Sequence, residues 1–598
     1  MTRAYGIKLI TAAAALAAGC GARPASVPEG RASPGDAERR AVELGERVRA
    51  DQFELFPEYP TFLRPPGATF DGLPDDSIAG VAARAAKLAS WRDELLAIDP
   101  AALAGNSQAR LSYQFARDIV DSAVGEQVCR EELWTVSASG NGWATRFMTL
   151  AELQPVGSDA LRAQAVARAE KMAGYVDTQI ANLREGLREG YLAYEGSVRA
   201  VIGQTERLLA TPADRSPFLS PADRDGSPEL RAKLIAVLAT SFLPAVQRYH
   251  DFLVHDYLPH ARSTPGVSGN PQGAACYRAV LRTYTTLDLD PAEAHEQGWK
   301  ALAAVEADMQ ALADHSFGGA DLKTVLASLR DSAPYRYKDR DEAIALAKAT
   351  IARARTALPR AFGLLPPSDV TVEPIADFLA KTSSSYYEPA ALDGSHPATY
   401  RIRLYEPAQQ SRVLDEGTAF HETFPGHHLQ VDIALHRPGV PAIARELFNS
   451  GYGEGWALYA ERVADELGLY SSDADRMGML SNRAWRAVRV AVDTGIHTLG
   501  WDRQKAIDTL LAHTALSRDQ AQNQIDRYIA WPGQASAYMI GYLEISRLRA
   551  EAQHALGARF DLRAFHDRVL EDGAVPLPVL RAKIKAWSAA TAGEHPRG

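Results

Sequence analysis

The sequence predicts a mainly α-helical fold with one small β-sheet. Ala, Leu, Arg and Glu dominate residues 37–360, and segments such as Asp159–Gly190 and Ala292–Ala313 space their apolar residues three and four apart, as amphipathic helices do. The spacing changes to alternation near residue 370, and helical spacing returns from Arg412 to the C-terminus. At 46% hydrophobic and 23% charged residues, the composition excludes a mostly disordered, collagen-like or polytopic membrane protein.

The first residues of the chain resemble a targeting segment. A short basic region precedes the apolar run Leu9–Ala18, and small residues follow it, which predicts a secretory signal peptide over residues 1–20. The last residues of this segment resemble a bacterial lipobox, which makes Cys20 the candidate lipidated N-terminus of the mature protein. The alternative is an ordinary signal peptide that is cut near a cysteine. Residues 21–40 are predicted to be a flexible tether.

The rest of the chain is predicted to form one continuous domain with two parts. A helical N-terminal half spans residues 41–365, and a catalytic half with the candidate metal site spans residues 366–590. Alternating residues at Val370–Val372 and, more clearly, at Tyr400–Leu404 predict strands at the start of the second half. The stretch Tyr386–Ser395 between them has the residue types of turns and is predicted to be a loop.

Charge and cysteine content narrow the classes of partner and site. The chain has 65 basic and 74 acidic residues, a net charge of -9, so nucleic acid is not an expected partner. Its three cysteines are too few for a disulfide scaffold or a zinc ribbon. After export, Cys129 and Cys276 either pair in an oxidising compartment or remain two unrelated buried thiols.

The main candidate for chemistry is the segment that begins at His421. A His-Glu pair followed within two helical turns by another histidine is the core of a zincin signature, in which two imidazoles bind Zn²⁺ and the glutamate, here Glu422, is the general base. The second histidine ordinarily lies four residues after the first. That position is Pro425 here, and the candidates are His427 and His428.

Neither candidate reaches His421 on a straight helix. A separation of six residues turns the helix by ~600°, which puts His427 on another face, and a separation of seven adds ~10.5 Å of rise for His428. Pro425 interrupts the helix and Gly426 permits an irregular backbone, so a kink is predicted that brings one histidine back towards His421. His427 needs the smaller correction and is the preferred ligand, with His428 as the alternative.

A third metal ligand is predicted at Glu454. It lies 27 residues after His427, at the start of a second helical segment, where a glutamate completes the site of the glutamate zincins and leaves a fourth position for water. Glu461 is seven residues further on the same helix face and is predicted to hydrogen-bond a ligating imidazole. The alternative for Glu454 is a solvent-facing carboxylate near a helix N-terminus.

Four motifs together resemble the bacterial domain of unknown function 885 family. They lie at residues 421–430, 453–461, 493–497 and 531–541, and the likeness covers most of the chain after the tether. The family is grouped with the gluzincin metallopeptidases. The resemblance therefore implies a gluzincin-like, mostly helical fold with a small sheet beside the zinc-binding helix and a deep groove.

The resemblance and the motif together predict a mechanism. Glu422 takes a proton from a zinc-activated water and passes it to the leaving amine. Tyr538 is the preferred donor to the oxyanion, with His497 and Tyr542 as alternatives, although each of the three is also explained as a residue of a packed helical wall. The segment Tyr400–Leu404 is a candidate edge strand for binding an extended peptide.

Three functions compete at this point. The preferred one is an exported zinc-dependent peptidase that acts on a peptide or small-molecule substrate and contacts the membrane only through a lipidated Cys20. The second is a zinc hydrolase of a non-peptide amide or ester. The third is a non-catalytic, lipid-anchored binding protein, against which Glu422 argues because a structural site needs no general base. The sequence contains no Gly-x-Ser-x-Gly motif for a serine hydrolase.

Overall fold

The computed structural model describes residues 34–105, 107–380 and 384–593. These residues are mostly helical with one three-stranded sheet, which confirms the predicted mainly helical fold with a small sheet. The signal peptide of residues 1–20, Cys20 and most of the tether lie outside the described residues. The end of the segment predicted as a tether, residues 34–40, forms the first turns of a helix instead.

The first half is built from helices that begin and end at residues suited to those positions. Ser158 accepts a hydrogen bond from the amide of Leu161 at the start of a 31-residue helix, and Gly190 ends it in the left-handed conformation. The α-helices of this half are α1 (Pro34–Leu55), α2 (Glu58–Leu63), α3 (Ile78–Leu96), α4 (Gln108–Glu126), α5 (Trp143–Leu153), α6 (Asp159–Glu189), α7 (Glu195–Ala210), α8 (Ser220–Asp225), α9 (Pro228–Val237), α10 (Leu243–Asp251), α11 (Gly273–Thr285), α12 (Pro291–Ser316), α13 (Leu322–Asp331) and α14 (Arg340–Ala357).

The second half contains the sheet and the remaining helices. The strands are β1 (Val370–Pro374), β2 (Tyr386–Glu388) and β3 (Ala398–Ile402). The α-helices are α15 (Asp377–Ala380), α16 (Asp415–Glu422), α17 (His427–His436), α18 (Ala442–Glu446), α19 (Ser450–Glu466), α20 (Asp473–Thr498), α21 (Arg503–His513), α22 (Arg518–Ala530), α23 (Ala537–Leu556), α24 (Leu562–Leu570) and α25 (Leu577–Ala592). None of the helices within the described residues is both long and apolar enough to cross a membrane.

The sheet corrects two details of the sequence prediction. Its order is β1–β3–β2, with β1 parallel and β2 antiparallel to β3, so the strand predicted at Tyr400–Leu404 is central rather than an edge strand. Four of the five residues of β3 are buried, because both of its long sides are paired. The edge on one side is β2, which lies in the stretch predicted as a loop and pairs Tyr387 with Tyr400.

Two groups of buried apolar residues hold the helices together. The principal core draws residues from both predicted halves, from Ala37 to Ile584, whereas a second core joins α5 to α10 and their neighbours. Within the principal core, α20 packs along α12, and α19 packs along α23. The last pair is in backbone contact, because a Cβ atom added to Gly455 would lie 2.5 Å from the Cα atom of Gly541.

Cys129 and Cys276 form a disulfide bond that joins the end of α4 to α11. Both side chains are buried. The bond closes a loop with a sequence separation of 147 residues, so it restricts the unfolded chain strongly. Of the two alternatives that the sequence left open, the structure therefore shows the paired one.

We expect Cys129→Ser to lower the free energy of unfolding by about 2 to 5 kcal/mol, because the unfolded chain regains the freedom that the cross-link removes. Denaturant unfolding of the oxidised wild type and the variant measures this difference. Adding a reductant should destabilise the wild type and leave the variant unchanged. Equal unfolding midpoints for the oxidised wild type and the variant would contradict the prediction.

Candidate metal centre

The candidate metal centre begins where one helix ends and the next starts. His421 and Glu422 are the last two residues of α16, and His427 is the first residue of α17. The four residues between the helices include a cis peptide bond between Phe424 and Pro425. The imidazole rings of His421 and His427 lie with their centres 4.9 Å apart and their planes perpendicular. The chain therefore has the predicted break, and the break brings these two histidines together.

Gly426 allows this break to be tight. A Cβ atom at this position would lie 1.9 Å from the carbonyl oxygen of His421 and 2.5 Å from that of Phe420. The Gly426 amide donates a hydrogen bond to the Phe420 carbonyl at 3.0 Å. The indole Nε1 of Trp456 on α19 donates to the carbonyl oxygen of Pro425, also at 3.0 Å. The turn is thus fixed from within and from the neighbouring helix.

We expect Gly426→Ala to lower the free energy of unfolding by about 1 to 3 kcal/mol, because the added methyl group forces the His421 carbonyl to move. Denaturant unfolding measures the change. Gly174→Ala is the matched control: it lies within α6, an added Cβ meets no atom within 4 Å, and the change should be neutral or stabilising. A Gly426→Ala variant as stable as the wild type would show that the turn has room to relax.

Glu454 on α19 completes a three-residue cluster. Its Oε2 atom lies 3.4 Å from Nε2 of His421 and 3.4 Å from Nε2 of His427. The three ligand atoms lie within 4.8 Å of one another. Tetrahedral ligands at ~2.0–2.1 Å from a zinc ion are about 3.3 Å apart. Two imidazole nitrogens and one carboxylate oxygen at this spacing therefore suit Zn²⁺ as a donor set.

The charges of the cluster favour a bound cation. Burial alone would raise the pKa of Glu454, but hydrogen bonds from His421 and His427 hold it well below its usual range. Burial alone would lower the pKa of His421, but Glu454 and Glu461 raise it to about 9. The carboxylates thus keep positive charge on the His421 imidazole when only protons are present, and a divalent cation can take the place of that charge.

Glu461 holds the imidazole of His421 in place. Nδ1 of His421 lies 2.9 Å from Oε1 of Glu461, and because a carboxylate accepts, Nδ1 carries the hydrogen. Nε2 then faces Glu454 and is the atom that a metal would take in place of that hydrogen bond, and the bond to Glu461 is the one that the sequence predicted. His427 differs, because its Nδ1 has no hydrogen-bond partner among the described residues and its ring packs against Phe448 instead.

His428, the alternative second ligand, points elsewhere. Its Nε2 donates to the carbonyl oxygen of Ser368 at 3.1 Å, and its Nδ1 accepts from the hydroxyl of Tyr387 at 3.0 Å. The side chain is fully buried, and burial lowers its pKa. Both ring nitrogens of His428 are engaged in hydrogen bonds, so His428 joins α17 to β2. The histidine that lies beside His421 in the cluster is therefore His427.

A cavity of about 540 Å³ opens onto the cluster. His421, Glu422, His427 and Glu454 all line it. Burial raises the pKa of the Glu422 carboxyl, and the neighbouring His421 and His427 oppose that rise. Tyr538 also lines the cavity, and its ring lies nearly parallel to that of His421 with the centres 6.3 Å apart. The predicted base and the preferred oxyanion donor therefore face the same space as the candidate metal ligands.

The two alternative oxyanion donors do not line this cavity. His497 is completely buried, its Nδ1 accepts from the Val267 amide, and its Nε2 donates to the Tyr528 carbonyl, each at 3.0 Å. Burial lowers the pKa of His497 to about 3. Tyr542 packs against the guanidinium of Arg483. The sequence could not distinguish these residues from Tyr538, because the distinction depends on which face of each helix meets the cavity.

The sequence analysis missed two arginines in the cavity. Arg486 and Arg489 lie on α20 and line the cavity. Neither belongs to a motif that the sequence analysis considered. A sequence signal was present, because Asn482, Trp485, Arg486 and Arg489 follow the spacing of one helix face. Without knowledge of the cavity, that spacing also fits an exposed helix face.

Comparisons with known proteins support a shared fold. A "putative lipoprotein" from Colwellia psychrerythraea has a crystal structure with a TM-score of 0.85 and 23% identity, covering 93% of this chain and 99% of that one. The structure of a "putative lipoprotein of unknown function" from Shewanella oneidensis has a TM-score of 0.70 and 17% identity. The match covers 91% of this chain and 99% of that one. No curated protein matches the sequence significantly.

The family model for "Bacterial protein of unknown function (DUF885)" matches residues 57–584, which is most of the chain. The match includes α16, α17, α19 and α23, which carry the cluster and Tyr538. The chain therefore belongs to the DUF885 family of bacterial proteins.

Proposed function

We propose that the protein is a zinc-dependent metallopeptidase with a gluzincin-like site. The observation that carries this proposal is the convergence of His421, His427 and Glu454 beside Glu422 in one cavity. Three protein ligands leave a fourth position for water, as catalytic zinc sites do. A structural site would have used a fourth protein ligand and would have no need of a glutamate that lines the cavity.

Each residue of the site has a distinct part in the proposed reaction. A zinc ion held by His421, His427 and Glu454 would lower the pKa of a bound water to about 7 and would polarise the substrate carbonyl. Glu422 accepts the proton of the attacking water and transfers it to the leaving amine. The Tyr538 hydroxyl donates a hydrogen bond to the oxygen that becomes negatively charged. Glu461 keeps Nε2 of His421 directed at the metal position.

The edge strand in the lining of the cavity favours a peptide substrate, and the volume of the cavity suits a short segment of it. Its volume of about 540 Å³ lies within the ~300–1,000 Å³ range of ligand sites. β2, the edge strand, contributes Tyr386 and Tyr387 to its lining. An extended peptide can add to such an edge through its backbone. This is the part in substrate binding that the sequence analysis gave to Tyr400–Leu404.

We also propose that the protein is exported and anchored by lipid at Cys20. The support is the signal-like N-terminus, the resemblance to a lipobox, and the disulfide between Cys129 and Cys276, which suits an oxidising compartment. The similar solved structures are also named as lipoproteins. Labelling of the wild type, but not of Cys20→Ser, by a fatty-acid analogue in cells would support the anchor, and equal labelling would contradict it.

A peptide-library experiment tests the proposed activity. The purified protein is loaded with zinc and incubated with a mixed peptide library, and the products are identified by mass spectrometry. We expect cleavage that a chelator abolishes and that added zinc restores. Absence of cleavage by the zinc-loaded protein, or cleavage that a chelator leaves unchanged, would contradict the proposal.

A further inference from the structure

One face of α20 directs polar and aromatic side chains into the cavity. Asn482, Trp485, Arg486 and Arg489 all line the cavity, and their separations of three, four and seven residues place them on the same side of the helix. Arg486 and Arg489 are one turn apart on this face. We call them the arginine pair.

Both guanidinium groups of the arginine pair are buried and retain free donors. Arg486 is 6% exposed and Arg489 is 2% exposed. Within the part of the chain that the structure describes, Nε of Arg486 and both Nε and Nη2 of Arg489 have no hydrogen-bond partner. Arg486 donates only one long bond, 3.4 Å, to the carbonyl oxygen of Asn482. Buried charged donors without acceptors are costly, so these atoms favour an anionic ligand.

Aromatic rings pack against both guanidinium groups of the arginine pair, and Tyr538 also hydrogen-bonds Arg489. Cζ of Arg486 lies 4.4 Å from the centre of the Trp485 ring. Cζ of Arg489 lies 3.9 Å from the centre of the Tyr538 ring. A cation–π contact occupies the flat face of a guanidinium and leaves the N–H groups in its plane free. The guanidinium nitrogens of the arginine pair that face the cavity can hydrogen-bond a carboxylate there.

The carboxylates of the metal centre do not satisfy the arginine pair. Glu454 and Glu461 favour the charged form of Arg486 electrostatically, although burial opposes that charge. One oxygen of each carboxylate lies against the imidazole of His421, at 3.4 Å for Glu454 and 2.9 Å for Glu461. Oε2 of Glu461 has no hydrogen-bond partner among the described residues. Among the described residues neither carboxylate hydrogen-bonds the arginine pair, so a carboxylate that enters the cavity can supply an acceptor.

Tyr538 places the arginine pair close to the reaction centre. The same ring that packs against the guanidinium of Arg489 also stacks against the imidazole of His421. An anion bound by the arginine pair is thus separated from the metal ligands by about the width of one aromatic side chain. An extended peptide spans about 3.3 to 3.6 Å per residue, so a few residues of substrate cover the separation between the arginine pair and the metal centre.

We propose that the arginine pair binds a carboxylate of the substrate and selects peptides that carry one next to the bond to be cleaved. This inference rests on the proposed function and adds the substrate class to it. The carboxylate has two possible sources. A C-terminal carboxylate would make the protein a carboxypeptidase, and an Asp or Glu side chain would make it selective for acidic residues.

Four synthetic peptides distinguish the sources. They are acetyl-Ala-Ala-Phe-Ala as the free acid and as the C-terminal amide, and acetyl-Ala-Ala-Phe-Glu and acetyl-Ala-Ala-Phe-Gln, both as amides. Binding is measured by calorimetry on the zinc-loaded Glu422→Gln variant, and kcat/KM is measured on the wild type. We expect about a 10- to 100-fold advantage for the free acid over its amide, or for the Glu peptide over the Gln peptide.

Variants of the arginine pair test the residues themselves. We expect Arg486→Gln and Arg489→Gln to weaken binding of the preferred carboxylate peptide by about 10- to 100-fold and to weaken binding of the matching uncharged peptide much less. Arg483→Gln is the matched control, because Arg483 is a buried arginine on α20 that does not line the cavity. Thermal unfolding of each variant checks that it is folded, and Arg486→Gln alone is sufficient if Arg489→Gln does not fold.

Three outcomes would overturn the inference. One is equal binding of acid and amide and of the Glu and Gln peptides by the folded protein. Another is an equal loss for charged and uncharged peptides in Arg486→Gln. The third is a loss of kcat with an unchanged dissociation constant, which would assign the arginines to the transition state. If the wild type cleaves no peptide, the proposed function fails, and binding to Glu422→Gln still reports on the arginine pair.

Discussion

Replacing His421 and Glu454 together with alanine is expected to remove the bound zinc, from about one ion per chain in the wild type to almost none. The reason is that the variant keeps only one of three ligands, and a single imidazole does not hold zinc against dilution. Metal analysis of the purified, zinc-exchanged proteins measures the change. Unchanged zinc content in the double variant would show that any bound metal lies at another site.

The two adjacent histidines supply a matched control for this experiment. His427→Ala removes a residue of the cluster and should lose zinc. His428→Ala removes a side chain that bonds Ser368 and Tyr387 instead, so it should lose stability and retain zinc. Retention of zinc by His427→Ala together with its loss from His428→Ala would reverse the choice of ligand.

Glu422→Gln is expected to keep zinc and to lower kcat by about 10²- to 10⁴-fold. The carboxamide has nearly the same shape as the carboxylate but cannot accept the proton of the attacking water. Turnover of a cleaved library peptide and zinc content are measured on the same protein sample, so that loss of activity is separated from loss of metal. Turnover close to that of the wild type would remove Glu422 from the reaction.

Glu461→Gln provides the comparison for this variant, because Glu461 bonds His421 but does not line the cavity. We expect it to weaken zinc binding by about 10- to 100-fold and to recover activity when zinc is in excess. Glu422→Gln should show no such recovery. The contrast separates a residue that acts on the substrate from one that acts through a metal ligand.

The helical fold and the cluster could be predicted because their signals are local in the sequence. Apolar spacing located α6 and α12, and Pro425 and Gly426 in place of the usual histidine position indicated a break in the helix. His427 is preferred over His428 because it needs the smaller correction of the helix, and the structure places His427 beside His421.

The features that could not be predicted depend on contacts between distant segments. β2 lies in a stretch with turn residues, and it becomes a strand only through pairing with β3. The position of β3 in the middle of the sheet depends on the same pairing. The arginine pair has the spacing of any helix face, and only the cavity between α20 and the metal centre gives it significance.

The backbone contact of α19 with α23 limits how the cavity can change shape. α19 carries Glu454 and α23 carries Tyr538, and Gly455 and Gly541 meet where the helices touch. With no side chains between them at this point, the helices have little freedom to slide, so they should behave as one rigid unit. Any change in the shape of the cavity then falls to other parts of its lining, such as β2, which is short and paired on one side.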